Sequence, residues 1–301
     1  MKMKNFYDKM TGICSGQKLI RNTFLNLIGL QVFRILTARF IFNIRSMLLF
    51  SNFSEEQKIL RKDGIVIIKN FYSNDKFKKL KSEFDDAKNL GGVHSEVKDG
   101  DSILTRYKFS RRIIDANLPQ TKDLLSNQRL LDLIYAGEAR KFSPIAAWFT
   151  HIIHSENKTG KTIRAEAEKL HYDIFYHNTK VFYFMSDVTE EAAPFNFSPG
   201  THRLSIKRLW YEYKKSFTYK KQKNEVFQVN EKEESFLGLK NNNVKATVPA
   251  NTLVIFDGLG FHRRGDFSAG TERSAIYLQF RHNPFCFTRH VIRPKKIEKI
   301  Q

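Results

Sequence analysis

The sequence predicts a mainly β domain with flanking helices, built as a sandwich or barrel. From about residue 143 onward, short runs rich in β-branched and aromatic residues follow one another: Ala146–Ile153, Leu170–Phe175, Val181–Met185, Val244–Val248, Thr252–Phe256 and Arg273–Phe280. Turn clusters such as Ser198-Pro199-Gly200 and Ala269-Gly270-Thr271 separate them, with few helical patterns between. The composition supplies a core for such a fold, with 41% hydrophobic residues and 27 Phe, while 7 Pro and 15 Gly exclude collagen-like or low-complexity chains. Cys14 and Cys286 are the only cysteines, too few for a disulfide scaffold or a cysteine-based zinc or iron–sulfur site. A reducing, cytoplasmic location is the expectation.

Ahead of the β-rich half, the elements follow in order. Residues 1–54 form a basic, apolar-rich helical extension, and residues 55–301 the main domain. Ser54-Glu55-Glu56-Gln57 has the form of a capping box for a short helix ending near Arg61, and Asp63-Gly64 then marks a turn. Ile65-Val66-Ile67-Ile68 reads as a buried strand. Ser73–Ala87 reads as a helix with Phe77, Leu80 and Phe84 on one face, and Asp123–Ala136 as another.

The net charge is +20, from 51 Lys+Arg against 31 Asp+Glu. Residues 9–54 contain no Asp or Glu, while Arg21, Arg34, Arg39 and Arg45 lie among Leu, Ile and Phe. The longest uncharged run there, Asn22–Phe33, is too short to cross a bilayer. The segment 17–50 therefore predicts a helix lying in a membrane interface, peripheral on the cytoplasmic face, or a helix facing a protein partner. A second cationic stretch, Lys207–Lys223, interleaves Trp210, Tyr211, Tyr213, Phe217 and Tyr219 with lysines, and the tail Arg289–Lys299 is basic again. Either a head-group surface or a solvated helix with a buried aromatic stripe has this profile. Nucleic acid is the weakest of the partners that the charge allows, because no RNA-binding motif or zinc module accompanies it.

Three residues carry the chemistry: His171 and Asp173 in His171-Tyr172-Asp173, and His262 in Gly260-Phe261-His262. On a strand, positions two apart share a face, so His171 and Asp173 can serve one ion while Tyr172 faces away. Two imidazoles and a carboxylate on one face of an iron leave its remaining positions open, the arrangement suited to Fe(II) and O₂ activation. Arg273 opens an alternating strand and faces the same way as Ala275, Tyr277 and Gln279. Its guanidinium calls either for a bidentate carboxylate ligand or for a surface pairing with Asp266 or Glu272.

From Ile59 to about His282 the chain resembles the phytanoyl-CoA dioxygenase family. The resemblance rests on the opening Leu60-Arg61-Lys62-Asp63-Gly64, on His171-Tyr172-Asp173, on the turn Ser198-Pro199-Gly200-Thr201-His202, and on Asn251–Asp257, His262 and Arg273. It implies a double-stranded β-helix (jelly roll, cupin-like) and a dioxygenase using Fe(II), 2-oxoglutarate and O₂. In that reading His171, Asp173 and His262 ligate the metal, and Arg273 holds the distal carboxylate of 2-oxoglutarate. Asp173 occupies the position that a halogenating relative leaves vacant, so hydroxylation is the expected outcome. Ala192-Ala193 depart from the family, which usually has glycine there. The charge distribution points to a small-molecule or lipid-linked, anionic substrate. The competing expectation is an inactive relative that binds membrane or nucleic acid.

Overall fold

A computed structural model describes residues 19–49, 51–90, 93–99, 101–154, 169–218, 227–239 and 243–285. The end of the basic stretch, 219–223, and the basic tail lie outside the described residues. Two helices come first, α1 (Thr23–Leu27) and α2 (Leu30–Leu49), followed by α3 (Glu55–Asp63) and β1 (Ile65–Ile68). The capping box at α3 is present: Gln57 N–H donates to Ser54 Oγ and Ser54 N–H to Gln57 Oε1. The helix ends on Gly64, whose φ of 80° is left-handed. Gly64 also has to be small, since a Cβ there would stand 2.4 Å from His202 Nδ1.

Next come α4 (Asn74–Asp86), β2 (Val93–Asp99), β3 (Ser102–Ser110), α5 (Arg111–Asn117), α6 (Pro119–Leu125) and α7 (Gln128–Glu138). The single helix expected over 123–136 is therefore two. Asn127 interrupts it, because its side chain accepts from Leu130 N–H and caps a new helix. The β-rich half comprises β4 (Ala146–His154), β5 (His171–Tyr172), β6 (Thr179–Phe184), β7 (Phe195–Phe197), α8 (Ile206–Ser216), β8 (Phe227–Gln228), α9 (Glu231–Leu237), β9 (Val244–Lys245), β10 (Thr252–Asp257), β11 (His262–Arg264) and β12 (Glu272–Gln279).

The strands form two antiparallel sheets. The larger runs β1-β10-β6-β12-β4-β3-β2 and the smaller β8-β5-β11-β7-β9. This is the expected double-stranded β-helix. Strand alternation divides the core. Leu253 and Ile255 of β10, with Ile276 and Leu278 of β12, pack under the helices against Leu80, Ile114, Leu124 and Leu130. Val254 and Phe256, with Ala275, face the other way, toward Phe195 and Phe197 of the smaller sheet. Both faces of the larger sheet are thus buried, which is why its central strands read as continuous apolar runs.

The N-terminal helices pack in an unexpected orientation. The buried face of α1–α2 is polar and carries Asn26, Gln31, Arg34 and Ser46, with Ile35 and Ala38. Asn26 donates to the carbonyls of Ile20 and Ser216, and Arg34 donates to Gln31 Oε1 and lies 3.8 Å above the Phe175 ring. Burial pushes the Arg34 guanidinium down to about 9, against the pull of Glu212. The opposite face is apolar: Phe33, Phe40, Met47 and Leu48 are 65, 64, 79 and 80% exposed. No described helix is long and apolar enough to cross a membrane.

Candidate metal and cosubstrate site

The strand that presents the first ligands is shorter than the sequence predicts. β5 holds only His171 and Tyr172, paired with Gln228 on one side and His262 on the other. Asp173 has already left the sheet, with its N–H donating to the Gly258 carbonyl at 2.8 Å. The turn after β10 thus places the carboxylate, where a continuing strand was expected to do so. Gly258 makes room for it, because a Cβ there would lie 2.2 Å from Asp173 Oδ2 and 2.3 Å from Asn178 Oδ1. Both contacts are too close to keep, so Gly258→Ala is expected to push Asp173 out of place. Cobalt(II) titration of the variant should show at least about tenfold weaker binding, in the range of changes next to metal ligands.

His171 and His262 face each other as register partners, with ring centroids 4.4 Å apart. Each Nδ1 lies against a backbone carbonyl, Lys169 O at 2.7 Å for His171 and Gly260 O at 2.9 Å for His262. A carbonyl only accepts, so both Nδ1 atoms carry the proton and Nε2 is the nitrogen with the lone pair that a metal requires. One ligand atom from each of His171, Asp173 and His262 falls within 4.8 Å of the other two, and all three residues are buried. Burial, together with the neighbouring His171, lowers His262 to about 3, so the ring is neutral as a ligand must be. Burial alone would raise Asp173, but Lys180, His262, Arg281 and His171 outweigh it and hold the carboxyl far below its usual range. This donor set fits a ferrous ion with open positions.

Arg273 is buried, and its Nη1 donates to the Ala193 carbonyl at 2.6 Å. Surface pairing is excluded: Glu272 lies against His151 at 3.3 Å instead, and Arg273 forms no ion pair among the described residues. Ala193, which stands where glycine was expected, has a φ of 52°, a conformation that favours glycine. Burial and the neighbouring Arg264 push Arg273 down to about 9. A buried guanidinium with no ion pair among the described residues suits a bidentate carboxylate.

Other described histidines have structural partners. His151 and His154 point apart, to Ser274 Oγ and Ser102 Oγ. His202 Nε2 donates to the Arg61 carbonyl, tying the Ser198–His202 turn to α3. His177, in the loop between β5 and β6, is buried between Asp257 and Arg39 of α2.

A scan against family models adds the deciding observation: residues 60–274 match the model described as phytanoyl-CoA dioxygenase (PhyH). The chain belongs to the phytanoyl-CoA dioxygenase family. With membership comes the reaction class, oxygenation dependent on iron(II) and 2-oxoglutarate. Solved structures are similar to the chain at low identity. The epimerase SnoN, in complex with Fe3+, alpha ketoglutarate and nogalamycin RO, is 14% identical with a TM-score of 0.50, over 76% of this chain and 85% of that one. EctD from S. alaskensis with bound Fe is 14% identical with a TM-score of 0.48, over 79% and 82%. HygX from Streptomyces hygroscopicus, with nickel and 2-oxoglutarate bound, is 13% identical with a TM-score of 0.45, over 76% and 87%. No curated protein matches the chain.

Relative to the phytanoyl-CoA dioxygenase motif, sequence reasoning missed four residues. Lys180 Nζ lies 2.6 Å from Asp173 Oδ2, and Arg281 3.8 Å from Oδ1. Lys180 could have been found, since it is the one charge in the run 179–186 and alternation turns it inward with Phe182 and Phe184. Arg208 and Glu212 of α8 form the other pair, joined at 2.8 Å behind the ligand strands. The sequence placed Arg208 in a cationic rim, but it is buried between the rings of Tyr172 and Phe261, 4.2 Å from each.

Proposed function

We propose that this oxygenase hydroxylates an anionic, amphiphilic substrate at a membrane surface, with His171, Asp173 and His262 holding iron(II) and Arg273 the distal carboxylate of 2-oxoglutarate. Iron and cosubstrate together supply the oxidant that attacks an unactivated C–H bond. The chain's own part is to hold two neutral imidazoles and one carboxylate in register and to anchor the cosubstrate's far end. It also walls off water with the aromatic layer between the sheets. Asp173 fills the position that a halide would need, which favours hydroxylation.

The substrate class is carried by one observation: α1 and α2 turn their polar face inward and their apolar face outward. Phe33, Leu36, Phe40, Ile44 and Met47 recur every three or four residues and form a single stripe about 21 Å long at 1.5 Å per residue. Phe24, Leu27 and Ile28 extend it on α1. The Tyr213 hydroxyl donates to the Leu27 carbonyl, bringing alongside the exposed Ile206, Trp210 and Phe217 of α8, which Lys207 and Lys214 accompany. An outward stripe of this extent among cations, in a segment free of acidic residues, matches the interface of an anionic bilayer. Arg34 and Arg39 are not at that interface, since both turn into the protein.

Two assays test the proposal. Purified protein should release succinate only with iron(II), 2-oxoglutarate and O₂, and faster when membrane lipid extract is added. Release without 2-oxoglutarate would refute the reaction, and the absence of lipid stimulation would refute the substrate class. The variant Phe33→Ser/Phe40→Ser/Met47→Ser alters only exposed positions and is expected to leave the fold intact. Sedimentation with phosphatidylglycerol-containing vesicles should fall by roughly tenfold or more, since three large side chains leave the bilayer.

A further inference from the structure

The two ring nitrogens of His177 meet opposite charges. Nδ1 lies against Asp257 Oδ2, and Nε2 against Arg39 Nη1 of α2. A guanidinium only donates, so Nε2 carries the lone pair and Nδ1 the proton, which it gives to the carboxylate. Burial, against the pull of Asp257, lowers His177 and keeps the ring neutral. Phe42, also of α2, stacks on the same ring with centroids 3.9 Å apart. Asp257 in turn organises the segment that holds the ligands. Its Oδ1 accepts from Leu259 N–H at 2.9 Å and from Asn178 N–H at 3.3 Å. Within the same turn, the Gly258 carbonyl takes the Asp173 N–H at 2.8 Å and the Gly260 carbonyl takes His262 Nδ1–H at 2.9 Å. Residues 257–260 therefore grip both Asp173 and His262, and the Asp257 carboxylate shapes that turn.

We infer that Arg39 is a positioning residue for the metal site: it orients His177, which holds Asp257 and with it the turn that grips Asp173 and His262. This role rests on the proposed ligand assignment and adds to it a residue from outside the family's own segment, since α2 precedes the residues 60–274 that match the family model. The tautomer is the physical link. Which nitrogen of an imidazole carries the proton is set by the hydrogen bond that the other one makes. With Arg39 donating to Nε2, the proton must sit on Nδ1, facing the carboxylate. Without that donor the proton can move to Nε2, and Nδ1 then turns a lone pair toward Asp257. The guanidinium also offsets, across the ring, a carboxylate that is itself buried. The N-terminal extension is accordingly part of the metal-binding unit and not a detachable anchor.

The test uses the full-length protein and reads cobalt(II) affinity together with the visible absorption of the bound ion, which reports ligand geometry. Arg39 is half-buried, and Arg39→Met keeps its aliphatic stem while removing the donor. Cobalt(II) should bind this variant about tenfold more weakly, as for other supports of metal ligands, and with a shifted band. Arg39→Lys returns one donor to Nε2 and should recover most of the affinity and the band. His177→Phe cuts the path, so adding Arg39→Met to it should weaken binding no further. Wild-type affinity and band in Arg39→Met would overturn the role. So would losses that add in the double variant, the sign of two separate weaknesses in the fold. If Asp173→Ala binds cobalt(II) as tightly as wild type does, it is the ligand assignment itself that fails.

Discussion

Asp173→Ala is expected to abolish iron binding and turnover while leaving a folded protein. The carboxylate is the only anionic donor among the three grouped ligands, and the two imidazoles alone make a weak site for a ferrous ion. Loss of a residue merely adjacent to a ligand costs about 10- to 100-fold in affinity, so loss of the ligand itself should exceed about 100-fold in cobalt(II) titration. Succinate release should fall at least as far. The substitution has a second consequence. Lys180, buried 2.6 Å from Asp173, loses its counter-charge, and a buried charge without a partner costs a few kcal/mol. Asp173→Ala should therefore melt below wild type, and adding Lys180→Met should restore the melting temperature without restoring metal binding. If the double variant binds cobalt(II) as tightly as wild type, Asp173 is not a ligand.

The triad was legible because the chemistry needs few residues at fixed spacing, and His171-Tyr172-Asp173 with a later histidine supplies them. The central strands were legible for a related reason: residues 252–257 and 273–280 are buried on both faces or alternate cleanly. The β2–β3 hairpin went unseen because β2 is an edge strand of largely polar residues, Val93-His94-Ser95-Glu96-Val97-Lys98-Asp99. For α2 the periodicity of the sequence gives two faces but not which of them turns inward. Apolar residues inward would be the usual arrangement, and only the packing of Arg34 on Phe175 and of Arg39 on His177 reverses it. Arg208 was lost for the same reason. Surrounded by Lys207, Lys214 and Lys215, it looks like one more surface cation, and nothing local marks it as the partner of rings more than thirty residues away.

That pair yields the second large effect. Arg208 Nε donates to Glu212 Oε1 at 2.8 Å, and the Tyr172 hydroxyl donates to Glu212 Oε2 at the same distance. Both side chains of the ion pair are almost wholly buried, 3 and 1% exposed. Glu212→Ala would take from one buried guanidinium and one phenol the carboxylate they share, leaving Arg208 only the Thr201 and Leu259 carbonyls at 3.4 Å, and would remove an anion that offsets Arg34. Breaking a buried pair from one side costs about 3–5 kcal/mol, which for a chain of this size lowers the melting temperature by roughly 10 °C. Arg208→Met/Glu212→Met should recover most of that loss, because neither charge is then stranded. The metal site should register the change as well. Tyr172 lies between His171 and Asp173, and Phe261 precedes His262, so the guanidinium sandwiched by those two rings sets the spacing of both ligand strands. Cobalt(II) affinity of the folded double variant should fall by about 10-fold, as for other supports of metal ligands. A Glu212→Ala protein melting within about 0.5 kcal/mol of wild type, the range of an ordinary surface change, would show that the pair is dispensable and that the ligand strands are held by the sheet alone.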